Sequence, residues 1–221
     1  MTQEIFKRYE KKYMLTQKKH DALIPVLERQ MNADHYGEHT LSNIYFDTRD
    51  YELVRQSIEK PEYKEKLRLR AYGKVTDNSV VYAELKKKFD GVVYKRRIPM
   101  TLCQARKYLY YGIRWAEESQ ILKEIDYVLN RYELKPAAYV AYERVAYYGK
   151  DNEELRITFD RNICCRCSGL ELKNGVYGTM LLDKNQILME VKIPGAMPLW
   201  MSRLFSGMGL FPVSYLSLIH I

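Results

Sequence analysis

The sequence predicts an antiparallel α+β domain, and three observations lead to this prediction. Stretches such as EKLRLRAYG, residues 65–73, alternate charged and apolar residues, as a β-strand with one polar and one apolar face requires. Asp90 and Gly91 separate two such stretches, which is typical of a β-hairpin. Segments with helical spacing stand between the strands. Because the chain has 221 residues and 47% of them are hydrophobic, we expect residues 1–221 to form a single domain.

The first elements alternate between strand and helix. Residues 6–15 are predicted to form a strand, and residues 18–31 have apolar side chains at helical spacing, interrupted early by Pro25. Residues 41–47 form a second predicted strand. Asp47 or Thr48 is expected to cap a short helix that follows it.

The rest of the chain supplies most of the predicted sheet. The strands are expected at 63–72, 79–88, 92–99, 137–148, 154–160 and 186–193, with shorter strands near 163–182. Helices are expected at 101–111, 117–132 and 198–205. The first of these begins at Thr101, and the second ends before Pro136.

The composition limits the kinds of partner and the compartment. A net charge of +8 favours an anionic partner, which leaves nucleic acid, a membrane surface and phosphorylated small molecules open. The chain has no signal peptide and no apolar run of roughly 20 residues, so we expect no transmembrane segment. Its four cysteines lack zinc-site spacing and are expected to be reduced thiols. We therefore predict a cytoplasmic protein.

Rows of cations are the most unusual feature of the predicted strands. Lys66, Arg68 and Arg70 share one strand face, and neighbouring members of the row repel each other by about 2 kcal/mol at an effective dielectric near 20. Similar polar faces recur in Arg8, Glu10 and Lys12; Tyr82, Glu84, Lys86 and Lys88; Lys95 and Arg97; Tyr142 and Arg144; Glu154, Arg156, Thr158 and Asp160; and Glu190 and Lys192. For any one strand, a solvated polar face is sufficient explanation. Taken together, the rows favour strands that close into a barrel with the cations inside, facing a polyanion.

Carboxylates among these cations narrow the choice of polyanion. Glu10, Glu84 and Glu190 each lie two residues from a lysine. Carboxylates repel the phosphates of nucleic acid, so a nucleic-acid groove gains nothing from them. A site for metal-bound phosphates uses both charges, since Mg²⁺ or Mn²⁺ prefers oxygen ligands while Arg and Lys bind the remaining phosphoryl oxygens.

An ordered set of motifs resembles a known family. RYEKKYML, SNIYFDT, KLRLRAYG, YAELKKKFDGVVYKRR, YVAYERVAYYG, LRITFD and MEVKIP, in that order, resemble the VTC domain, the polyphosphate polymerase module named after the vacuolar transporter chaperone. This domain belongs to the triphosphate tunnel metalloenzymes. The resemblance extends from about residue 8 to residue 215. It implies an α+β fold with an antiparallel β-barrel, the triphosphate tunnel, and peripheral helices.

The resemblance also implies roles for individual residues. The expected catalytic residues are Lys12, Arg68, Arg70, Lys86, Arg144, Arg156 and Lys192. The expected substrate-binding residues are Lys66, Lys88, Lys95, Arg97 and Tyr142, with Arg96 in place of Arg97 if the register shifts by one residue. Glu190 is the expected ligand of Mn²⁺ or Mg²⁺, together with Glu10 or Glu84.

Two departures from the family patterns affect this interpretation. The wider tunnel enzymes begin with Glu-x-Glu-x-Lys, whereas Arg8 occupies the first position here, which favours the VTC branch. The family resembles Ser-Lys-Tyr near its end, whereas this chain reads FPVSYLSLIHI. We therefore expect residues 216–221 to be a truncated or artefactual end, with one tunnel-lining strand lost.

The implied function is polyphosphate synthesis. The terminal phosphoryl group of a nucleoside triphosphate, ATP, would pass to a growing polyphosphate chain, and no side-chain nucleophile is required. Two alternatives stay open: metal-dependent hydrolysis of tripolyphosphate or nucleoside triphosphate by the same tunnel, and a non-catalytic polyanion-binding module. ATP and inorganic polyphosphate are the expected partners of a stand-alone bacterial protein. Nucleic acid is not expected, and whether a partner tethers the domain to a membrane is left open.

Overall fold

The computed structural model describes residues 5–6, 8–59, 61–90, 92–113 and 118–215. Gly91 of the predicted hairpin turn and the predicted artefactual end at 216–221 lie outside these residues. The hairpin itself is confirmed, because Phe89 pairs with Val92.

Eleven strands make up the described sheet. They are β1 (Ile5–Phe6), β2 (Arg8–Thr16), β3 (Met31–Ala33), β4 (His39–Asp47), β5 (Tyr63–Tyr72), β6 (Val80–Phe89), β7 (Val92–Thr101), β8 (Lys135–Gly149), β9 (Arg156–Arg166), β10 (Thr179–Met180) and β11 (Gln186–Pro194). All the strand pairings in the described residues are antiparallel. The predicted antiparallel α+β class is thereby confirmed.

Five α-helices accompany the sheet in the described residues. They are α1 (Gln17–Leu27), α2 (Glu52–Glu59), α3 (Leu102–Leu109), α4 (Gln120–Tyr132) and α5 (Leu199–Gly207), with one 3₁₀ turn at Leu172–Asn174. Within the described part of the chain, no helix has the length and apolar character needed to cross a membrane.

The sheet curves almost onto itself without a complete ring of hydrogen bonds. Its order is β1-β7-β6-β5-β4-β8-β9-β11-β2, with β10 and β3 attached to β9 and β8. The two ends of this path, β1 and β2, are consecutive in sequence and are separated only by residue 7. No pairing joins β7 to β2 among the described residues, so the predicted barrel is open at this seam. In the described part of the chain, the outer edge of β2 forms one bridge, from Lys12 to Val213.

Two apolar clusters fix the helices to the convex face of the sheet. The first cluster joins α2, α3 and α4 to β4–β7, with Leu67, Leu69 and Leu85 fully buried. The second joins α1 and α5 to β2, β9 and β11, around residues such as Phe159 and Met189. We call the opposite, concave face the interior.

A third, apolar cluster lies on the interior face, where the sequence predicts rows of cations with carboxylates and tyrosines among them. We call it the apolar layer: its buried members are Leu41, Val140, Tyr142, Ile163, Cys165 and Leu188. The pairs Val140–Cys165 and Leu41–Tyr142 place these side chains on the same face as Asn43 and Arg144, because paired residues of an antiparallel ladder share a face. The predicted rows of cations therefore do not line the whole interior.

Several predicted boundaries shift for identifiable reasons. The helix predicted at 18–31 ends at Leu27, and Met31 begins the short strand β3, which was not predicted. Pro25 lies inside this helix without ending it. The strand predicted at 154–160 continues to Arg166, which absorbs part of the shorter strands expected near 163–182. Thr101 caps α3 with a complete capping box, as predicted.

Asp47 holds the start of α2, and Thr48 assists it. The Oδ1 atom of Asp47 accepts hydrogen bonds from the backbone N–H groups of Thr48 and Leu53, both at 2.8 Å, and Oδ2 accepts one from Val54 at 2.9 Å. Thr48 Oγ1 accepts another from the backbone N–H of Glu52 at 2.9 Å. Both candidate capping residues therefore contribute, and they fix the helix against the end of β4.

Replacing Asp47 with Ala should lower the free energy of unfolding by about 1–2 kcal/mol, because the first turn of α2 loses the acceptor of its N–H groups. Urea denaturation followed by circular dichroism measures the effect. Asp151→Ala, at an exposed loop position, is the matched control. Equal stability of the two variants would contradict this assignment.

Candidate functional site

Glu84 forms the centre of the largest charge cluster in the interior. It is 2% exposed and projects from the middle of β6. Its Oε2 atom lies 2.6 Å from Arg68 Nη2 and 3.9 Å from Arg70 Nη1, both from β5. Its Oε1 atom lies 3.1 Å from Lys95 Nζ and 3.4 Å from Arg97 Nε, both from β7. Strand register explains the convergence, because Glu84 is directly opposite both Arg68 and Arg97.

Neutral partners orient the two β5 arginines. Arg68 Nη1 donates to Tyr45 Oη at 3.2 Å, and Arg70 Nε donates to Asn43 Oδ1 at 2.9 Å. Arg70 also donates from Nη2 to Tyr142 Oη at 3.2 Å, across the intervening strand β4. This last contact shows how strongly the sheet curves. Together, these hydrogen bonds fix the guanidinium planes of both arginines.

A second charge cluster lies on β2 and β11. Glu190 Oε1 is 3.1 Å from Lys192 Nζ, and its Oε2 is 3.9 Å from Lys12 Nζ. Lys12 also donates to the backbone oxygen of Tyr215 at 3.1 Å. Strands β2 and β11 therefore contribute to the interior a second carboxylate that lies between two cations.

Arg144 and Asp160 form a bidentate pair between β8 and β9. Arg144 Nε donates to Asp160 Oδ1 at 2.6 Å, and Nη2 donates to Oδ2 at 2.7 Å. The guanidinium carbon lies 4.9 Å from the centre of the Tyr142 ring. Because both carboxylate oxygens of Asp160 accept hydrogen bonds from Arg144, this pair fixes the orientation of the guanidinium plane.

Burial and neighbouring charges shift the pKa values of this cluster. Although burial raises the pKa of the Glu84 carboxyl, Arg68, Arg70 and Lys95 outweigh it and lower that pKa to about 2. Burial likewise opposes Lys192, Arg144 and Lys12 at Glu190, whose pKa is also about 2. Both carboxylates are therefore charged at neutral pH.

The pKa of the Lys66 ammonium group is lowered, which favours its neutral form. Burial lowers its pKa to about 8, Tyr45 partly offsets this, and the charges of Lys86, Lys64 and Lys12 lower it further. Lys12 belongs to β2, which four strands separate from β5 in the sheet order, so cations of distant strands face Lys66 across the interior. An anion placed among these lysines would favour the protonated form.

Two tyrosines support Arg97 at the border of the cluster. Its guanidinium carbon lies 3.5 Å from the Tyr82 ring centre and 5.7 Å from that of Tyr72. Arg97 Nη2 also donates to Tyr72 Oη at 3.2 Å. Arg96, the alternative match if the register shifts, is instead directed to the convex face, where it lies 3.4 Å from Glu124.

The remaining predicted residues lie at the edges of the two clusters. Lys86 and Arg156 are exposed, and so is Glu10. Register places Lys86 opposite Lys66, and it places Glu10 and Arg156 on either side of Lys192. Lys88, half-buried, is opposite Lys64.

Three interior residues were missed by sequence reasoning. Asn43 and Tyr45 orient the arginines, and Asp160 holds Arg144. A signal existed for each of them. Asn43 and Tyr45 alternate with buried apolar residues in SNIYFDT, and Asp160 shares the predicted polar face of Arg156. They were not chosen because each acts on an arginine of another strand, and strand pairing is not visible in the sequence.

The interior carboxylates Glu84 and Glu190 could bind a metal ion only if substrate phosphates and water supplied its remaining ligands. Within the described residues, no group of three or more His, Cys, Asp or Glu side chains is arranged to hold a metal ion. Both oxygens of Glu84 are close to cations, whereas Glu190 has its nearest cation at 3.1 Å on one oxygen and 3.9 Å on the other. Mg²⁺ commonly uses one or two carboxylates and completes its shell with substrate phosphates and water. Glu190 fits that arrangement better than Glu84.

Replacing Glu84 with Gln should make the free energy of unfolding depend less on pH in the acidic range. The folded pKa of about 2 lies below the ordinary value of 4.5, so the charge of Glu84 stabilises the fold above pH 4.5 and loses this effect as the pH falls toward 2. The contribution is roughly 3 kcal/mol at neutral pH. The difference between wild type and variant should therefore be largest at pH 7 and shrink in acid, as measured by urea unfolding. Glu153→Gln, at an exposed position, should show no such trend.

Lys66→Met should abolish the proton uptake by Lys66 that accompanies anion binding in the wild-type protein. Because burial lowers the pKa of Lys66 to about 8, binding of inorganic triphosphate should be accompanied by proton uptake, and affinity should fall as the pH rises through 8. Calorimetry in two buffers of different protonation enthalpy counts these protons. The titration of triphosphate itself is common to both proteins. Equal proton uptake by variant and wild type would contradict the role of Lys66.

Comparisons with solved structures identify the fold. A protein from Bacillus halodurans proposed to be an adenylate cyclase aligns with a TM-score of 0.58 and 13% identity, covering 96% of this chain and 95% of its own. A proposed adenylyl cyclase from Hippeastrum, described as having a dominant triphosphatase activity, aligns with a TM-score of 0.51 and 16% identity, covering 93% and 85%. At these identities the likeness shows the tunnel fold alone.

Comparison with protein families gives the more specific result. A search of curated proteins gives no match. The model of the VTC domain matches residues 7–218, which includes both charge clusters of the interior. The match agrees with the order of motifs along the sequence and with the curved antiparallel sheet. The chain belongs to the VTC domain family.

Proposed function

We propose that this VTC domain binds the triphosphate of a nucleoside triphosphate, ATP, in the interior and transfers its terminal phosphoryl group to inorganic polyphosphate. One observation carries the proposal: the ring of Arg68, Arg70, Lys95 and Arg97 around the buried carboxylate of Glu84. The four cations surround one carboxylate, and the single negative charge of Glu84 balances only part of their positive charge. A multivalent phosphate supplies the missing negative charge.

The side chains would act mainly by alignment and charge neutralisation. Arg68 and Arg70 are planar forks whose orientation is already set by Tyr45 and Asn43, so little reorganisation is needed when phosphoryl oxygens arrive. Arg144 is fixed in the same way by Asp160. Lys12 and Lys192, together with Lys86 and Arg156 at the edge, would neutralise charge on the transferred phosphoryl group and on the leaving nucleoside diphosphate.

The polyphosphate acceptor needs no protein nucleophile, because one of its own oxygens attacks the terminal phosphorus atom. Lys66, Lys88 and Lys95 would hold this chain, and Tyr142 would keep Arg70 in position beside it. Mn²⁺ or Mg²⁺, held by Glu190 with assistance from Glu10 or Glu84, would add charge neutralisation to the phosphates. Glu190 presents its side chain to the same space as Lys12 and Lys192.

Hydrolysis is a second candidate function. The Hippeastrum neighbour is described as having a dominant triphosphatase activity, and a clamp for phosphoryl oxygens serves attack by water as well as attack by phosphate. The two reactions differ in the acceptor alone. The product therefore separates them.

The test is incubation of the protein with ATP and Mn²⁺, followed by gel electrophoresis for polyphosphate and a colorimetric assay for orthophosphate. Long-chain product is expected, and orthophosphate alone would favour hydrolysis. Arg68→Ala should reduce turnover by about 100-fold or more, because an oriented charge on the phosphates is lost. Arg203→Ala, exposed on α5, is the control. Metal-independent binding of RNA with no turnover would contradict both candidates.

A further inference from the structure

Aromatic side chains line one end of the interior, at the edge of the sheet where β4 begins and β5 ends. Tyr82 of β6 is opposite Arg70 in register, and Tyr72 is the last residue of β5. His39, the first residue of β4, is opposite Arg144. The ring centre of Tyr72 lies 5.8 Å from that of Tyr82 and 6.0 Å from that of His39. Three neighbouring strands therefore place aromatic rings side by side.

The turn that precedes β4 adds a further ring. The ring centre of Tyr36 lies 6.1 Å from that of His39 and 3.8 Å from that of His35. His39 Nδ1 donates a hydrogen bond to the carbonyl of Gly37 at 3.0 Å, and Gly37 turns the chain with a φ of +58°. We call Tyr36, His39, Tyr72 and Tyr82 the aromatic row.

Arg97 joins the aromatic row to the charge cluster of Glu84. Its Nε atom lies 3.4 Å from Glu84 Oε1, while its Nη2 atom donates to Tyr72 Oη at 3.2 Å. Its guanidinium carbon lies 3.5 Å from the ring centre of Tyr82. A triphosphate bound by Arg97 would therefore have the aromatic row directly beside it.

The exposure of the aromatic row distinguishes a binding surface from internal packing. Support of Arg97 accounts for Tyr72 and Tyr82, but Tyr36 packs against two histidines instead. Tyr36 is 68% exposed and Tyr72 is 41% exposed, so both rings offer area to a ligand. A flat group with its own π-face gains from stacking on such rings.

We propose that the aromatic row binds the base of the nucleoside triphosphate by stacking, chiefly on Tyr36 and Tyr72. This inference rests on the proposed function and specifies its substrate as purine nucleoside triphosphates, with adenine and guanine accepted alike. Stacking depends on ring area, so it does not read the hydrogen-bonding edge of a base. Asp34, the carboxylate next to the turn, is already engaged by the backbone N–H of Tyr36 at 3.4 Å and by His35 Nδ1 at 3.0 Å.

The first experiment compares ATP, GTP and UTP with ribose triphosphate, which has the same phosphates but no base. Each competes with a fluorescent triphosphate for the wild-type protein at fixed salt, with and without Mn²⁺. ATP and GTP should bind at least about tenfold more tightly than ribose triphosphate and within about threefold of each other, with UTP between them.

Each contrary result of this comparison has its own meaning. Equal affinity for ATP and ribose triphosphate would overturn the base site while leaving the proposed function intact. A preference between ATP and GTP larger than about threefold would overturn stacking as the mode of recognition. Failure of all four compounds to bind, with Mn²⁺ and without it, would instead contradict the proposed function.

The second experiment removes single rings. Tyr36→Ala should reduce the ratio of ATP affinity to ribose triphosphate affinity by about fivefold or more, because a stacking face is lost while the cations stay in place. Tyr111→Ala, which removes a tyrosine that is 65% exposed after α3, should leave the ratio unchanged. An unchanged ratio in folded Tyr36→Ala would overturn the proposal.

Variants of Tyr72 provide an independent comparison if Tyr36→Ala does not fold. Tyr72→Leu removes the ring and the hydroxyl group, whereas Tyr72→Phe removes only the hydroxyl group that accepts from Arg97. Tyr72→Phe should weaken both ligands together and keep their ratio, whereas Tyr72→Leu should lower the ratio. Equal ratios in the two variants would show that Tyr72 acts through Arg97 alone, which would contradict stacking on its ring.

Discussion

Repulsion among like charges inside a curved sheet is the constraint on which the structure depends. Seven cations lie within 3.9 Å of three interior carboxylates, Glu84, Asp160 and Glu190. Without these carboxylates, the cation rows of β5, β7 and β11 would repel one another in a space of low effective dielectric. With them, the arginines are held in defined orientations and a positive excess is retained. The same carboxylates that lower the repulsion therefore leave the interior with a net positive charge.

The sequence allowed the strands and their inward faces to be predicted because a period of two determines both at once. Lys66, Arg68 and Arg70 share a face whatever the sheet order is. The partners of Glu84 could not be predicted, since they depend on the register of β6 against both β5 and β7. Asp160 and Asn43 were missed for a similar reason: each has meaning only beside the arginine that the fold brings to it.

The apolar layer illustrates a different limit. Val140 and Leu188 occupy inward positions of the same alternating pattern that elsewhere contains charges, so periodicity alone places them correctly. Their packing into one cluster with Leu41 and Ile163 could not be predicted, because it depends on the relative heights of strands far apart in sequence. The open seam between β7 and β2 likewise follows from three-dimensional curvature. The family match assigns the chain to the VTC domain family, whereas neighbours at 13–16% identity share only the architecture.

Lys12 connects the interior to the segment that follows α5. Its backbone oxygen accepts a hydrogen bond from the N–H of Val213 at 2.7 Å, while its ammonium group donates to the carbonyl of Tyr215. If phosphate binds in the interior as proposed, it would compete with that carbonyl for the ammonium group of Lys12, and occupancy of the interior would be coupled to the docking of residues 213–215. Under the proposed function the coupling would be reciprocal: release of residues 213–215 from the outer edge of β2 would free the ammonium group of Lys12 for phosphate.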